Sequence, residues 1–241
     1  APDAAGARYR LGPPLGAGGM AEVLTATLVG AEGFARPVAV KRVHAGLAAV
    51  PGLGARFIAE AQLAARLAHP NIVAVLDFYR DAAHRLVLVM ERVDGPDLAA
   101  VIAAGPIPPG VAAYIAIEVL RALGYAHERA VAEPGARGVI HRDVSPHNVL
   151  VSYEGAVKLS DFGLAKVRAD GGAVWSATVR GKPRYMSPEQ LAGAPLDGRS
   201  DLYAVGVVLW EMLARRPLHA GTPEEIRGAL RWGAPPALAT V

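Results

Sequence analysis

The chain has 241 residues, of which 52% are hydrophobic, 6% aromatic and 20% charged. This composition excludes an intrinsically disordered chain and fits one large domain or two small lobes with an aliphatic core. The net charge of +3 is too small and too evenly spread to favour nucleic acid as a partner. No apolar run is long enough for a membrane span, and the first residues lack the pattern of a signal peptide.

Cysteine is absent, which excludes disulfides, thiolate metal sites and cysteine nucleophiles and fits a reducing compartment such as the cytoplasm. The seven histidines are scattered and form no HExxH pattern, so we expect no zinc site.

The first third of the chain has the pattern of short strands joined by glycine-rich turns. Two apolar runs flank a glycine cluster, which predicts a hairpin. An alanine-rich stretch with helical spacing should end before His69-Pro70, because the residue before a proline disfavours helix. In chain order we expect strands at 9–16, 21–29, 37–41, 72–79 and 85–90, and a helix at 54–68.

The pattern changes after Asp94-Gly95-Pro96, where long helical periodicities replace the strands. We therefore expect a small β-rich lobe, a short hinge near residues 91–95 and a larger helical lobe. The helical lobe should contain helices at 97–104, 109–127 and 200–214, with short strands near 148–151 and 156–160.

The glycine cluster lies in Leu15–Val23, between two predicted strands. Glycines allow backbone N–H groups to approach phosphate oxygens, because no Cβ intervenes. This signal is weak by itself, since an ordinary hairpin turn has the same composition. A Rossmann loop would need a helix next, and a Walker loop would need Lys-Ser or Lys-Thr.

Lys41 ends an apolar strand, and Glu60 lies in the helix that follows. Each is unremarkable singly, because an edge lysine and a solvated glutamate are common. A strand lysine held by a helix glutamate would, however, be a suitable cation for orienting phosphate.

The most informative stretch is His141-Arg142-Asp143-Val144-Ser145-Pro146-His147-Asn148, followed by Asp161-Phe162-Gly163. Hard Mg²⁺ prefers oxygen ligands, which Asn148 and Asp161 supply. Asp143 remains as a carboxylate that can accept a hydroxyl proton. Two further motifs follow, at residues 181–189 (GKPRYMSPE) and 201–206 (DLYAVG).

This ordered set of motifs resembles the eukaryotic-like, or Hanks-type, protein kinases of the bacterial serine/threonine branch. The resemblance covers residues 9–230 and implies a bilobal α+β kinase fold. The N-lobe would take about residues 9–90, the hinge 91–95 and the C-lobe 96–241. The last helices of the family's C-lobe are missing from the sequence, together with the arginine that normally pairs with Glu189.

The resemblance implies a role for each matching residue. The glycine loop would cover the phosphates of ATP, and Lys41, paired with Glu60, would bind the α- and β-phosphates. Asp143 would be the catalytic base, and Asn148 and Asp161 the Mg²⁺ ligands. Glu189 would close the activation segment, and Asp201 would brace the catalytic loop. Nucleotide contacts would come from Gly16, Ala17, Gly18, Gly19, Val23, Ala39, the gatekeeper Met90, the hinge backbone of Glu91 and Val93, and Asp97 at the ribose.

The sequence departs from the family pattern at several positions. Ala21 replaces the third loop glycine, and the link at 128–138 is longer than usual. Ser145 replaces the usual catalytic-loop lysine, and Lys182 replaces the usual activation-segment threonine. We expect an exchange in which Lys182 supplies the missing cation and Ser145 the hydroxyl, although a solvated Lys182 is the simpler alternative.

The sequence thus predicts an ATP- and Mg²⁺-dependent kinase that phosphorylates serine or threonine of proteins. Activating autophosphorylation, for which a dimer is a candidate arrangement, should fall on Thr178 or Ser176. His147 stands where many basic-directed members of the family have glutamate, which predicts no strong demand for upstream arginine. Two alternatives remain open: a pseudokinase-like scaffold that binds nucleotide, and a small-molecule kinase of the same fold. We expect a cytoplasmic kinase domain whose full-length protein could be tethered to a membrane.

Overall fold

The computed structural model describes residues 8–17, 21–44, 53–128, 138–162, 183–222, 224–226 and 228. The chain divides into two compact units. The first consists of Ala1–Ala68 and Val73–Val93, and the second of His69–Ile72 and Asp94–Val241.

The first unit is built on a five-stranded antiparallel sheet of order β1-β2-β3-β5-β4. Strands β2 and β3 pair without interruption from Ala21↔Val43 to Val29↔Ala35. The ladder between β1 and β2 shifts register on both sides of Pro14, because prolines cannot donate to the ladder. The strands are β1 (Tyr9–Ala17), β2 (Ala21–Val29), β3 (Ala35–Val43), β4 (Val75–Arg80) and β5 (Leu86–Glu91).

One face of this sheet carries a hydrophobic cluster centred on valines of β3 and β5, with Tyr9 of β1 packed against it. The Tyr9 hydroxyl donates to Asp77 Oδ2 at 2.7 Å, and the Tyr9 and Tyr79 rings stack at 5.5 Å. Burial and the Asp77 carboxylate raise the pKa of Tyr9 to about 12. These contacts join β1 to β4, the two outer strands, so the sheet curls around the cluster.

Helix α1 (Leu53–Ala64) lies against β4, where Phe57 meets Phe78 with ring centroids 5.9 Å apart. The helix ends four residues before the predicted boundary at residue 68. Its hydrogen bonds change to the tighter i→i−3 type at Arg66 and Leu67, before the His69-Pro70 step is reached.

The second unit is mainly helical, with a two-stranded hairpin formed by β6 and β7. Helices α3 and α5 pack together through small and branched side chains such as Ile115, Val119, Val205 and Val208. Asp197 caps α5 by accepting from the Arg199 amide, so α5 begins two residues before the predicted start. The elements are α2 (Leu98–Ala104), α3 (Pro109–Glu128), β6 (Val149–Val151), β7 (Val157–Leu159), α4 (Pro188–Ala192) and α5 (Gly198–Ala214).

Most of the predicted surface excursion at 128–138 lies outside the described residues. Among the helices that the structure describes, none combines the length and the apolar character needed to cross a membrane.

Candidate active site

Four of the predicted nucleotide-contacting residues share one face of the sheet in the first unit. Val23 of β2 pairs directly with Lys41 of β3, and Ala39 of β3 pairs directly with Met90 of β5. Directly paired residues, and residues two apart on one strand, project to the same face. Val23, Ala39, Lys41 and Met90 therefore lie on the face opposite the valine cluster.

The end of β5 carries the predicted hinge backbone. The Glu91 amide donates to the carbonyl of Ala74 at 2.9 Å, and the Glu91 carboxylate accepts from the Ala74 amide at 2.8 Å. Because its N–H is committed to Ala74, the Glu91 backbone can meet a ligand only through its carbonyl. Val93 is half-buried two residues further on.

The glycine loop and the lysine partner are only partly described. Gly16 and Ala17 end β1, opposite Val23 and Glu22, whereas Gly18 and Gly19 lie outside the described residues. Glu60 lies in α1, but its side chain is outside the description, so the predicted Lys41–Glu60 pair stays a prediction.

The loop of residues 141–148 in the second unit is organised around a fully buried histidine. His141 Nδ1 accepts from the Asp143 amide at 3.2 Å, and its Nε2 lies 2.9 Å from the Ser160 carbonyl. Because Nδ1 accepts, Nε2 must carry the proton. Burial lowers the pKa of His141, which keeps the ring neutral and the tautomer fixed. The Phe162 ring packs edge-on against it at 4.6 Å.

Asp201 of α5 lies behind this loop with only 1% of its surface exposed. Its Oδ2 accepts from the His141 amide at 2.8 Å and lies 2.7 Å from His127 Nε2. Its Oδ1 accepts from the Arg142 amide at 2.7 Å. A buried carboxylate needs such donors, and here the donors come from α3 and from two consecutive loop residues. Asp201 contacts the loop as the resemblance implies.

Arg142 has φ +66°, in the left-handed region that non-glycine residues rarely adopt. Its amide is held by Asp201, and its carbonyl accepts from Gln190 Nε2 at 2.9 Å. Sequence reasoning missed Gln190. The available signal was Ser187-Pro188-Glu189-Gln190, which has the spacing of a helix capping box.

Asn148 is held so that its amide group has a defined orientation. Its Nδ2 donates to the Asp143 carbonyl at 2.7 Å and to Asp143 Oδ2 at 3.2 Å. Its own carbonyl accepts from the Ser160 amide at 2.8 Å. This bond places Asp161, the next residue, beside Asn148 at one end of the β6–β7 hairpin. The structure therefore brings Asp143, Asn148 and Asp161 to one place.

Ser145 is fully buried, and its hydroxyl has no hydrogen-bond partner among the described residues. Its backbone carbonyl accepts from the Asn148 amide at 2.9 Å, which closes the short turn of residues 146–148. Lys182, the predicted exchange partner, lies outside the described residues, as do Ser176 and Thr178.

Glu189 has a partner that the sequence did not suggest. The Ser200 hydroxyl, near the start of α5, donates to Glu189 Oε1 at 2.5 Å. Burial alone would raise the pKa of Glu189, but this bond and backbone donors outweigh it and hold the pKa below its usual value. Glu189 therefore stays ionised and fastens α4 to α5.

Asp97 and His147 contact each other, although they are 50 residues apart in the chain. Asp97 Oδ1 caps α2 by accepting from the Ala100 amide at 2.7 Å, and its Oδ2 lies 3.2 Å from His147 Nδ1. Both side chains reach the surface of the second unit. A ligand that used the Asp97 carboxylate would have to compete with this imidazole.

Comparison with known proteins identifies the family of the chain. The family model for the protein kinase domain matches residues 9–231. A probable serine/threonine-protein kinase of Corynebacterium efficiens is 43% identical over 222 residues, which is 89% of this chain and 32% of the relative. The serine/threonine-protein kinase PknB of Mycobacterium tuberculosis is 41% identical over 220 residues, covering 89% of this chain and 33% of that protein.

The crystal structure of the PknI kinase domain of Mycobacterium tuberculosis is also similar, with a TM-score of 0.69 and 31% identity. The match covers 97% of this chain and 81% of that structure. The chain belongs to the protein kinase family and has its α+β fold, as the sequence motifs predicted. It spans about one third of the length of the curated relatives it matches.

Proposed function

We propose that this chain is the catalytic part of an active serine/threonine protein kinase, which transfers the γ-phosphoryl group of ATP to a protein hydroxyl. The observation that carries the proposal is the loop of residues 141–148, which Asp201 buttresses and in which Asn148 contacts Asp143. Asp161 follows Ser160, whose amide is bonded to the Asn148 carbonyl. The local geometry of this chain supports the reaction that the names of its relatives indicate.

The donor set fits a hard divalent cation. The Asn148 amide nitrogen is turned towards Asp143, which leaves the amide oxygen as the atom that can face a metal. Asp161 adds a carboxylate from the neighbouring strand end, and oxygen ligands of this kind suit Mg²⁺. When bound, Mg²⁺ neutralises phosphate charge and holds the terminal phosphate for in-line transfer.

Each unit contributes separate parts of the proposed reaction. In the first unit, Lys41 would bind the α- and β-phosphates, while Val23, Ala39 and Met90 offer an apolar face to the adenine. The Glu91 carbonyl and the Val93 amide would bind the adenine edge.

In the second unit, Asp143 orients the acceptor hydroxyl and takes its proton as the new O–P bond forms. The bond between the γ-phosphorus and the bridging oxygen breaks, and ADP leaves. The Asn148 amide donates to Asp143 Oδ2, which restricts the orientation of this carboxylate.

The function is tested by autophosphorylation and by phosphorylation of a general protein acceptor with labelled ATP and Mg²⁺. We expect Asp161→Asn to abolish transfer while the fold is retained, because it removes a proposed metal ligand. The matched control is Glu154→Gln, which changes an exposed carboxylate on the β6–β7 turn. Full activity in Asp161→Asn would overturn the proposal.

Phosphate should appear on Thr178 or Ser176 when the active chain is incubated with ATP and Mg²⁺, because the family is activated in this region. Arg142, next to the catalytic aspartate, could form charge-assisted hydrogen bonds with such a phosphate. Mass spectrometry of the incubated protein checks this expectation. An active preparation with neither site modified would contradict it.

One observation favours a second candidate, nucleotide binding without turnover. A fully buried Ser145 hydroxyl stands where the family pattern has a lysine, whose role would be to neutralise the transferring phosphoryl group. For the chain to be an active kinase, we propose that Lys182 supplies this cation instead, because a lysine side chain is long and flexible. An unmodified chain that binds ATP but transfers no phosphate to any protein acceptor would favour the scaffold function.

A further inference from the structure

The backbone of Arg142 is held in an unfavourable conformation directly before the proposed catalytic base. Its φ of +66° costs free energy for a residue with a Cβ. Such a conformation persists only where the surroundings determine it. The position of Asp143, which follows this residue in the chain, therefore depends on the groups that bind the Arg142 backbone.

Both backbone polar groups of Arg142 are held, and they are held by different helices. Its amide donates to Asp201 Oδ1 of α5 at 2.7 Å. Its carbonyl accepts from Gln190 Nε2 of α4 at 2.9 Å. The peptide plane that joins Arg142 to Asp143 contains this carbonyl, so Gln190 fixes the orientation of that plane.

Gln190 is itself oriented by the start of α4. Its Oε1 accepts from the Ser187 amide at 3.0 Å and from the Ser187 hydroxyl at 3.3 Å. This capping box turns the amide oxygen towards Ser187 and therefore turns Nε2 towards Arg142. The amide oxygen of Gln190 thus binds the start of α4, and its amide nitrogen binds the loop.

We propose that Gln190 is a positioning residue for phosphoryl transfer, acting through the Arg142 carbonyl to orient Asp143. The inference rests on the proposed function, since the orientation matters to turnover only if Asp143 is the base. Gln190 lies immediately after Glu189, which binds Ser200 of α5. Two consecutive residues of α4 therefore contact α5 and the loop of residues 141–148.

The test uses Gln190→Glu, which removes the donor and keeps the helix start. A carboxylate at this position still accepts from Ser187, and glutamate is a favoured third residue in a capping box. It presents no proton to the Arg142 carbonyl at neutral pH. We expect kcat to fall about 10- to 100-fold with the KM for ATP within about twofold, because a misplaced catalytic group slows the chemical step.

Ser187→Ala is the matched control. It removes the longer hydroxyl bond but keeps the backbone amide of residue 187, which donates to Gln190 Oε1 at 3.0 Å and still turns Nε2 towards Arg142. The Tm should therefore fall while kcat per folded molecule stays within about twofold of the unmodified chain. Equal losses of kcat in both variants would mean that Gln190 matters only to helix α4, and the proposal would fail.

A second readout needs no turnover. Amide hydrogen exchange of the segment 141–145 should become about tenfold faster in Gln190→Glu, because the Arg142 peptide is no longer held. In Ser187→Ala the faster exchange should stay within 187–192. Unchanged exchange of 141–145 in Gln190→Glu overturns the proposal, whereas absent transfer by the unmodified chain contradicts the proposed function alone.

Discussion

Replacement of Asp201 by asparagine should strongly destabilise the second unit. Asp201 is 1% exposed and receives three donors: the His127 ring, the His141 amide and the Arg142 amide. Asparagine offers one acceptor oxygen, so its NH₂ group must face at least one of these donors. One N–H is then left buried without an acceptor, and the other bonds lose the contribution of the negative charge.

Removal of the charge from a buried network of this kind costs about 3–5 kcal/mol. In a chain of this length, 1 kcal/mol corresponds to roughly 2–4 °C in Tm. We therefore expect Asp201→Asn to lower the Tm by about 10 °C in a thermal unfolding experiment followed by circular dichroism.

The control is Asp197→Asn on the same helix, because it makes the same chemical change at an exposed position. Asp197 is the N-cap of α5, and asparagine caps a helix about as well as aspartate. Its Tm should stay within about 2 °C of the unmodified chain. If the two variants melt at the same temperature, the three bonds to Asp201 do not stabilise the fold and the reasoning is wrong.

The remaining predictions concern pH, the exchanged cation and the acceptor. Burial lowers the pKa of His141 and of His219, so the unfolded state binds more protons than the folded state as the pH falls through the unfolded pKa of about 6.5. The free energy of unfolding should therefore decrease from about pH 7.5 to about pH 5.5, as measured by urea unfolding. His219→Gln should make this pH dependence smaller. Lys182→Thr should lower kcat about 10²–10³-fold, and adding Ser145→Lys should restore much of it, a non-additive pair in steady-state assays. A peptide-library screen should show no dominant selection for arginine upstream of the acceptor, because His147 occupies the Asp97 carboxylate.

Each of these predictions has an outcome that contradicts it. Stability that is constant or rises on acidification would contradict the histidine argument. A Lys182→Thr variant within a few-fold of the unmodified kcat, or a double variant without recovery, would show that no exchange occurred. Strong selection for upstream arginine would show that acidic groups other than the Asp97 carboxylate bind the arginine of the substrate.

Much of the fold was predictable, because each element has a local signal. The valine-rich runs identified β3 and β5, and the helical periodicity of α3 placed its end within one residue. The errors were at element ends. The α1 end depended on a change of hydrogen-bond type, and the α5 start on the Asp197 cap, which a periodic pattern does not contain.

The candidate catalytic residues could be proposed from the sequence because their side-chain types suit the proposed reaction. Asp143, Asn148 and Asp161 were selected by their oxygen atoms and by the resemblance to the protein kinases. Gln190 and Ser200 were missed because their partners are a backbone carbonyl and a distant carboxylate. Such contacts depend on how helices pack, and no side-chain motif records where a carbonyl will point.

The contact between Tyr9 and β4 also affects how the sheet of the first unit meets other chains. Outer strands normally present a row of unpaired backbone groups on which a further strand can assemble, which is a common origin of aggregation. Here β1 contains Pro13 and Pro14, which lack amide protons, and β4 has a bulge between Val75 and Asp77. The Tyr9–Asp77 hydrogen bond additionally ties these irregular outer strands to each other. Neither outer strand therefore offers a regular template, and we expect the sheet to resist edge-to-edge growth at high protein concentration.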